Sequence, residues 1–129
     1  MKLLAYEVDK RSFLGVLNED ETWVYPVSAA GMEYRSMKDL IREAGPSEME
    51  MLDYISKKMP GDVTGAASVE EIKVVSPIAE PDQDIICLGI NYMDHAKESA
   101  RFKKEEFSKP EKAIYFSKRV NRTNDPDGI

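Results

Sequence analysis

Leu3-Leu4-Ala5-Tyr6-Glu7-Val8, Ser12-Phe13-Leu14-Gly15-Val16-Leu17 and Thr22-Trp23-Val24-Tyr25-Pro26-Val27 follow one another near the start of the chain. Each run is dominated by aliphatic, aromatic and β-branched residues. The gaps between them, Asp9-Lys10-Arg11 and Asn18-Glu19-Asp20-Glu21, are short and polar. That pattern predicts strands joined by tight turns, hence an antiparallel meander. Pro26 has no N–H to give to a ladder, so the end of the third strand is expected at an edge. Trp23 and Tyr25 are two residues apart and share a strand face. A buried core face is expected there, the alternative being an aromatic shelf for a ligand.

Downstream of the meander the period changes to that of helices. Ser36 with Asp39 resembles a capping box, and Met37, Leu40 and Ile41 form the apolar stripe behind it. Gly45-Pro46 ends that helix. Ser47 with Glu50 predicts a second start, leading into Met51, Leu52, Tyr54 and Ile55, with Pro60-Gly61 as the break. Met49, Met51 and Met59 are expected to fill gaps against the small sheet. Residues 61–68 are small and polar and read as a loop, and a short strand is predicted over 71–75. Ser76-Pro77-Ile78-Ala79-Glu80-Pro81-Asp82 is a stiff extended connector. The expectation is an α+β protein, with a small N-terminal domain over residues 1–76 and a second domain beginning at 77.

Composition narrows the function. The 129 residues carry a net charge of −6, which repels phosphate backbones and argues against nucleic-acid binding. Lys103-Lys104 is answered at once by Glu105-Glu106, as on a solvated face. No apolar run approaches the ~20 residues of a membrane span, and the N-terminus lacks the pattern of a secretory signal. Cys87 is the single cysteine, so no internal disulfide can form. Within Ile85-Ile86-Cys87-Leu88 it reads as a small buried hydrophobe rather than a nucleophile. A reducing, cytoplasmic setting is expected.

The chemistry concentrates after the connector. Ile85-Ile86-Cys87-Leu88 is a continuous apolar run, as for a strand buried on both faces. Gly89 punctuates it, Asn91-Tyr92-Met93-Asp94 makes a turn, and Asp94 can cap a helix over 95–100. His95 is the only histidine in the chain. Glu98 lies three residues on, so in a helix the two side chains share a face. A carboxylate beside an imidazole orients it and raises its basicity, which suits a general base. By spacing alone, such a pair is also what an ordinary surface helix displays.

The stretch from Pro77 through Asp84-Ile85-Ile86-Cys87-Leu88-Gly89-Ile90-Asn91-Tyr92-Met93-Asp94-His95-Ala96-Lys97-Glu98 resembles the entry to the catalytic domain of the fumarylacetoacetate hydrolase family. Lys109-Pro110 and Ile114-Tyr115-Phe116-Ser117-Lys118 are similar to that family's next strand, and a small domain of hairpins and helices precedes the catalytic domain in many bacterial members. The resemblance implies metal-dependent chemistry on 2-oxo or 1,3-diketo acids: C–C bond hydrolysis, isomerisation or decarboxylation. It implies that His95 and Glu98 are the dyad that activates water or shuttles a proton. Gly89, Asn91 and Tyr92 would shape the floor of the site, and Lys118 would contact substrate, although a lysine ending a strand can also be only solvated.

The family's Mg²⁺ or Mn²⁺ is held by an E-x-E pair and a later Asp, which would lie downstream of Ile129. No metal ligand is therefore assigned within this chain. Asp125 and Asp127 could hold a cation loosely at best, because hard cations need several oxygens in fixed geometry. The resemblance also implies a homodimer when intact. A catalytic domain begun but not finished leaves unpaired strand edges. Truncation at the exposed loop over 121–127 is one expectation; one subunit of a heteromeric enzyme and a relative acting as a binding or assembly module are the others.

Overall fold

The computed structural model describes residues 1–89, 113–126 and 128. The chain divides into two compact units: Met1–Ala79 together with Thr123–Ile129, and Glu80–Arg122. The first unit is an α+β domain. Its strands are β1 (Leu3–Val8), β2 (Arg11–Leu17), β3 (Trp23–Pro26), β4 (Ala67–Ser68) and β5 (Lys73–Val75), in the order β4-β3-β2-β1-β5, with every pair antiparallel. The sheet curls into a half-barrel. β1, β2 and β3 are the expected meander. β4 reaches only Trp23 and Val24, so the Pro26 end of β3 is unpaired on that side, where a residue without an N–H costs nothing.

Register assigns the two sheet faces. Residues opposite one another in an antiparallel pair project to the same side. Leu3, Val16 and Tyr25 form one such row, and Ala5 with Leu14 another. This face meets α1 (Met37–Glu43) and α2 (Pro46–Ser56) through a core of Val16, Tyr25, Val27, Met37, Leu40, Leu52, Ile55 and Val63. Trp23 packs at its margin, so the Trp23–Tyr25 face is core and not a shelf. The opposite face carries Tyr6 against Phe13, with ring centroids 5.5 Å apart, and Val24 across from Leu17. Tyr6 and Val24 are both fully buried and lean over Gly15.

The helices start where local bonds dictate. Ser36 Oγ accepts the Asp39 N–H at 3.1 Å and opens α1 as expected. α2 starts earlier than the Ser47–Glu50 pairing suggests. Its cap is Gly45, Pro46 takes the first helical position, and Glu48 reaches back to accept the Gly45 N–H at 3.1 Å. Proline's fixed φ and missing donor suit that first position, which outweighs a capping serine one residue later. Ser47 instead donates to Glu48 at 2.8 Å. Of the three methionines expected as gap-fillers, Met49 packs against the core, whereas Met51 and Met59 are exposed, Met59 at 71%.

The second unit contains β6 (Ile85–Gly89) and β7 (Ile114–Lys118), paired antiparallel as a two-stranded sheet. β6 is not the doubly buried strand its composition suggests. Ile86 is 76% exposed, Ile85 and Leu88 are exposed as well, and Cys87 is half-buried. Apolar composition buries a strand only when other layers cover it.

Candidate functional site

Among the expected site residues, Gly89 and Lys118 lie within the described structure, and both belong to the β6–β7 ladder. Gly89 is opposite Ile114 and Lys118 is opposite Ile85. The two are therefore at opposite ends of the ladder, about 13 Å apart at the ordinary strand rise. The chain leaves the ladder after Gly89 and rejoins it before Ile114, at the end away from Lys118. Lys118 is exposed. A Cβ added to Gly89 would meet the Ile114 carbonyl oxygen at 3.4 Å, an ordinary contact, so packing alone does not demand glycine there. His95, Glu98, Asn91 and Tyr92 lie outside the described residues, as do Glu105 and Glu106.

Among the described residues no three His, Cys, Asp or Glu side chains come together as metal ligands. Asp125, the acidic residue near the end that could have held a cation loosely, is engaged otherwise. Its carboxylate accepts the Ser76 N–H at 2.9 Å and the Lys73 ammonium at 3.2 Å. Asp127 lies outside the described residues. The described side chains therefore do not fit a Mg²⁺ or Mn²⁺ site.

The first unit has a cavity of about 310 Å³ beside the β2–β3 turn and the end of α2, lined in part by Lys2, Asn18, Glu19, Glu21, Asp53 and Lys57. Its two lysines are already matched. Lys2 bonds Glu21 at 2.5 Å, and Lys57 bonds Asp53 at 2.6 Å one helical turn away. That bond holds the Asp53 carboxyl below the usual range and raises Lys57. Neither Gly89 nor Lys118 lines this cavity.

The β2–β3 turn is bonded to itself. Asn18 Oδ1 accepts the N–H groups of Thr22 and Trp23, and Asp20 accepts the Thr22 hydroxyl at 2.5 Å, which lowers the Asp20 pKa. Tyr25 donates its hydroxyl to the Lys58 carbonyl at 2.7 Å, and burial pushes its pKa upward. These bonds are structural: they close a turn and anchor a core ring.

Sequence reasoning missed one cluster: Ser76, Thr123 and Asp125, which tie the connector to the chain after β7. Each residue type is ordinary in a turn, and nothing local marks partners so far apart in sequence.

No family model matches the chain. It is similar to oxaloacetate tautomerase YisK of Bacillus subtilis (strain 168), with 30% identity over 92% of this chain and 41% of that relative. The chain thus spans less than half the length of the curated relative it matches. The similarity relates it to an enzyme. No helix of the described residues is long and apolar enough to cross a membrane.

Proposed function

We propose that this chain forms the N-terminal part of a fumarylacetoacetate hydrolase superfamily enzyme acting on 2-oxo or 1,3-diketo acids. The observation that carries the proposal is the 30% identity to an oxaloacetate tautomerase across nearly the whole chain. The first unit forms the accessory domain, and the catalytic domain begins within Glu80–Arg122. His95 and Glu98 are the proton-transfer pair, with Gly89, Asn91, Tyr92 and Lys118 around the substrate. The relative's name favours proton transfer over C–C hydrolysis or decarboxylation. In tautomerisation a base takes a proton from the carbon beside the 2-oxo group, and the proton is returned at the enol oxygen. Glu98 would hold the His95 imidazole in the orientation that this needs. Mg²⁺ or Mn²⁺ belongs to the intact, homodimeric, cytoplasmic enzyme, with ligands from outside residues 1–129.

The test uses the intact protein from its source. Its mass is measured first, then the ketonisation of enol-oxaloacetate is followed by ultraviolet absorbance, beside cleavage of acetylpyruvate. His95→Ala should lower turnover by roughly 10²-fold or more, the usual contribution of a general base, while metal affinity changes little. Unchanged turnover would sink the assignment of His95.

A second reading, one subunit of a heteromeric enzyme, is favoured by the exposure of apolar side chains along β6 and β7, with Tyr115 at 68% and Ile86 at 76%. Co-purification of a partner polypeptide supports it; a single longer chain carrying all the activity removes it.

A further inference from the structure

The connector after β5 and the chain after β7 meet in one polar seam within the first unit. Asp125 uses its two carboxylate oxygens on two partners, the Ser76 N–H and the Lys73 ammonium. Thr123 donates its N–H to the Ala79 carbonyl and its hydroxyl to the Ile78 carbonyl, each at 2.8 Å. The hydroxyls of Ser76 and Thr123 are also bonded to one another. Thr123 has a single hydroxyl hydrogen and spends it on Ile78, so Ser76 is the donor in that pair. The side-chain bonds of the seam join residues 45 to 52 positions apart.

What holds this seam differs from what holds the rest of the unit. The β1–β3 ladder and the two helices close over fully buried Val16, Tyr25, Leu40 and Leu52. In the seam, Ile78 is the apolar side chain packed on that core, and it is only partly buried. β5 is a three-residue edge strand with Lys73 and Val74 exposed. Segments with few buried apolar contacts open at lower free energy than the core beside them. Bonds to an ionised carboxylate are stronger than those between neutral groups, so Asp125 carries the largest share of the seam.

We infer that residues 123–125 form a clasp on residues 73–79 that opens on its own, with the N-terminal fold intact, and that Asp125 is its main anchor. Closed, the clasp bonds the two ends of residues 80–122 to one another through Ala79 and Thr123. Open, it releases both ends at once.

Amide hydrogen exchange on the full chain tests this. In the wild type, the Ser76 and Thr123 amides should be protected, yet exchange faster than the β1–β3 ladder amides. In Asp125→Ala their exchange should accelerate by about tenfold, the effect of losing one charge-assisted bond, with the ladder amides unchanged. Asp125→Asn keeps an oxygen for the Ser76 N–H and gives the same comparison with less disturbance. Equal acceleration of ladder and seam, or unfolding of both variants, would overturn the inference by making the seam part of one cooperative fold. Unprotected Ser76 and Thr123 amides in the wild type would overturn it by removing the clasp.

Discussion

Gly15 shows how one residue can be decided by its neighbours rather than by its own chain segment. A Cβ there would stand 2.5 Å from Val24 Cγ2 and 2.8 Å from the Tyr6 ring. Both neighbours are fully buried and cannot swing away. Gly15→Ala should therefore destabilise the first unit by about 1–3 kcal/mol, the usual cost of overpacking a filled core, read as a lower urea midpoint with unchanged slope. A midpoint equal to the wild type would mean that Tyr6 and Val24 do not close over this position. In the sequence, Gly15 is a glycine inside a strand pattern, which signals close approach but not of what. Trp23 and Tyr25 were more legible, because the two-residue period put them on one face and aromatic size put that face in the core. For His95 and Glu98 the sequence still carries the whole argument: they are identified by resemblance and spacing.

Elements were legible where a periodic pattern met a strong local signal. The β1–β2 hairpin is one case. Val8 and Arg11 pair, leaving Asp9 and Lys10 as a two-residue loop, both with positive φ (49° and 63°). That is the turn whose twist matches the strands, and it favours glycine at its second position. Lys10→Gly, which creates an Asp-Gly turn, should raise stability by about 0.5–1 kcal/mol by relieving left-handed strain, measured as a higher melting temperature. A lower one would mean that the loop has another conformation in solution. The start of α2 was less legible, since serine at 47 and proline at 46 compete for the boundary and sequence does not rank them. β6 misled for a related reason: a run of apolar residues states what a strand could bury against, not whether that layer is there.

At the scale of the molecule, charge predicts how the fold responds to acid. Asp20, Glu48 and Asp53 are each held below the usual carboxylate range, by the Thr22 hydroxyl, the Ser47 hydroxyl and Lys57 respectively. Each therefore binds a proton less readily folded than unfolded, so their contribution is complete above the unfolded values of about 4 and fades as pH falls below them. Stability should change little from pH 7 to 5 and drop toward pH 3, as read from urea midpoints. Asp20 is exposed and Glu48 and Asp53 are only partly covered, so the drop is modest; a flat profile down to pH 3 would mean that these bonds do not persist in solution. The α+β character of the first unit was legible from its periodic runs. The return of the chain to that unit was not, because hydrogen bonds between residues 73–79 and 123–125 leave no trace in local pattern. That return has a practical meaning. The exit at Ala79 and the re-entry at Thr123 are a hydrogen bond apart, so within residues 1–129 the first unit is interrupted at a single junction. Such a junction can accept one insert in place of another, or a short turn in place of either, without the host domain having to move.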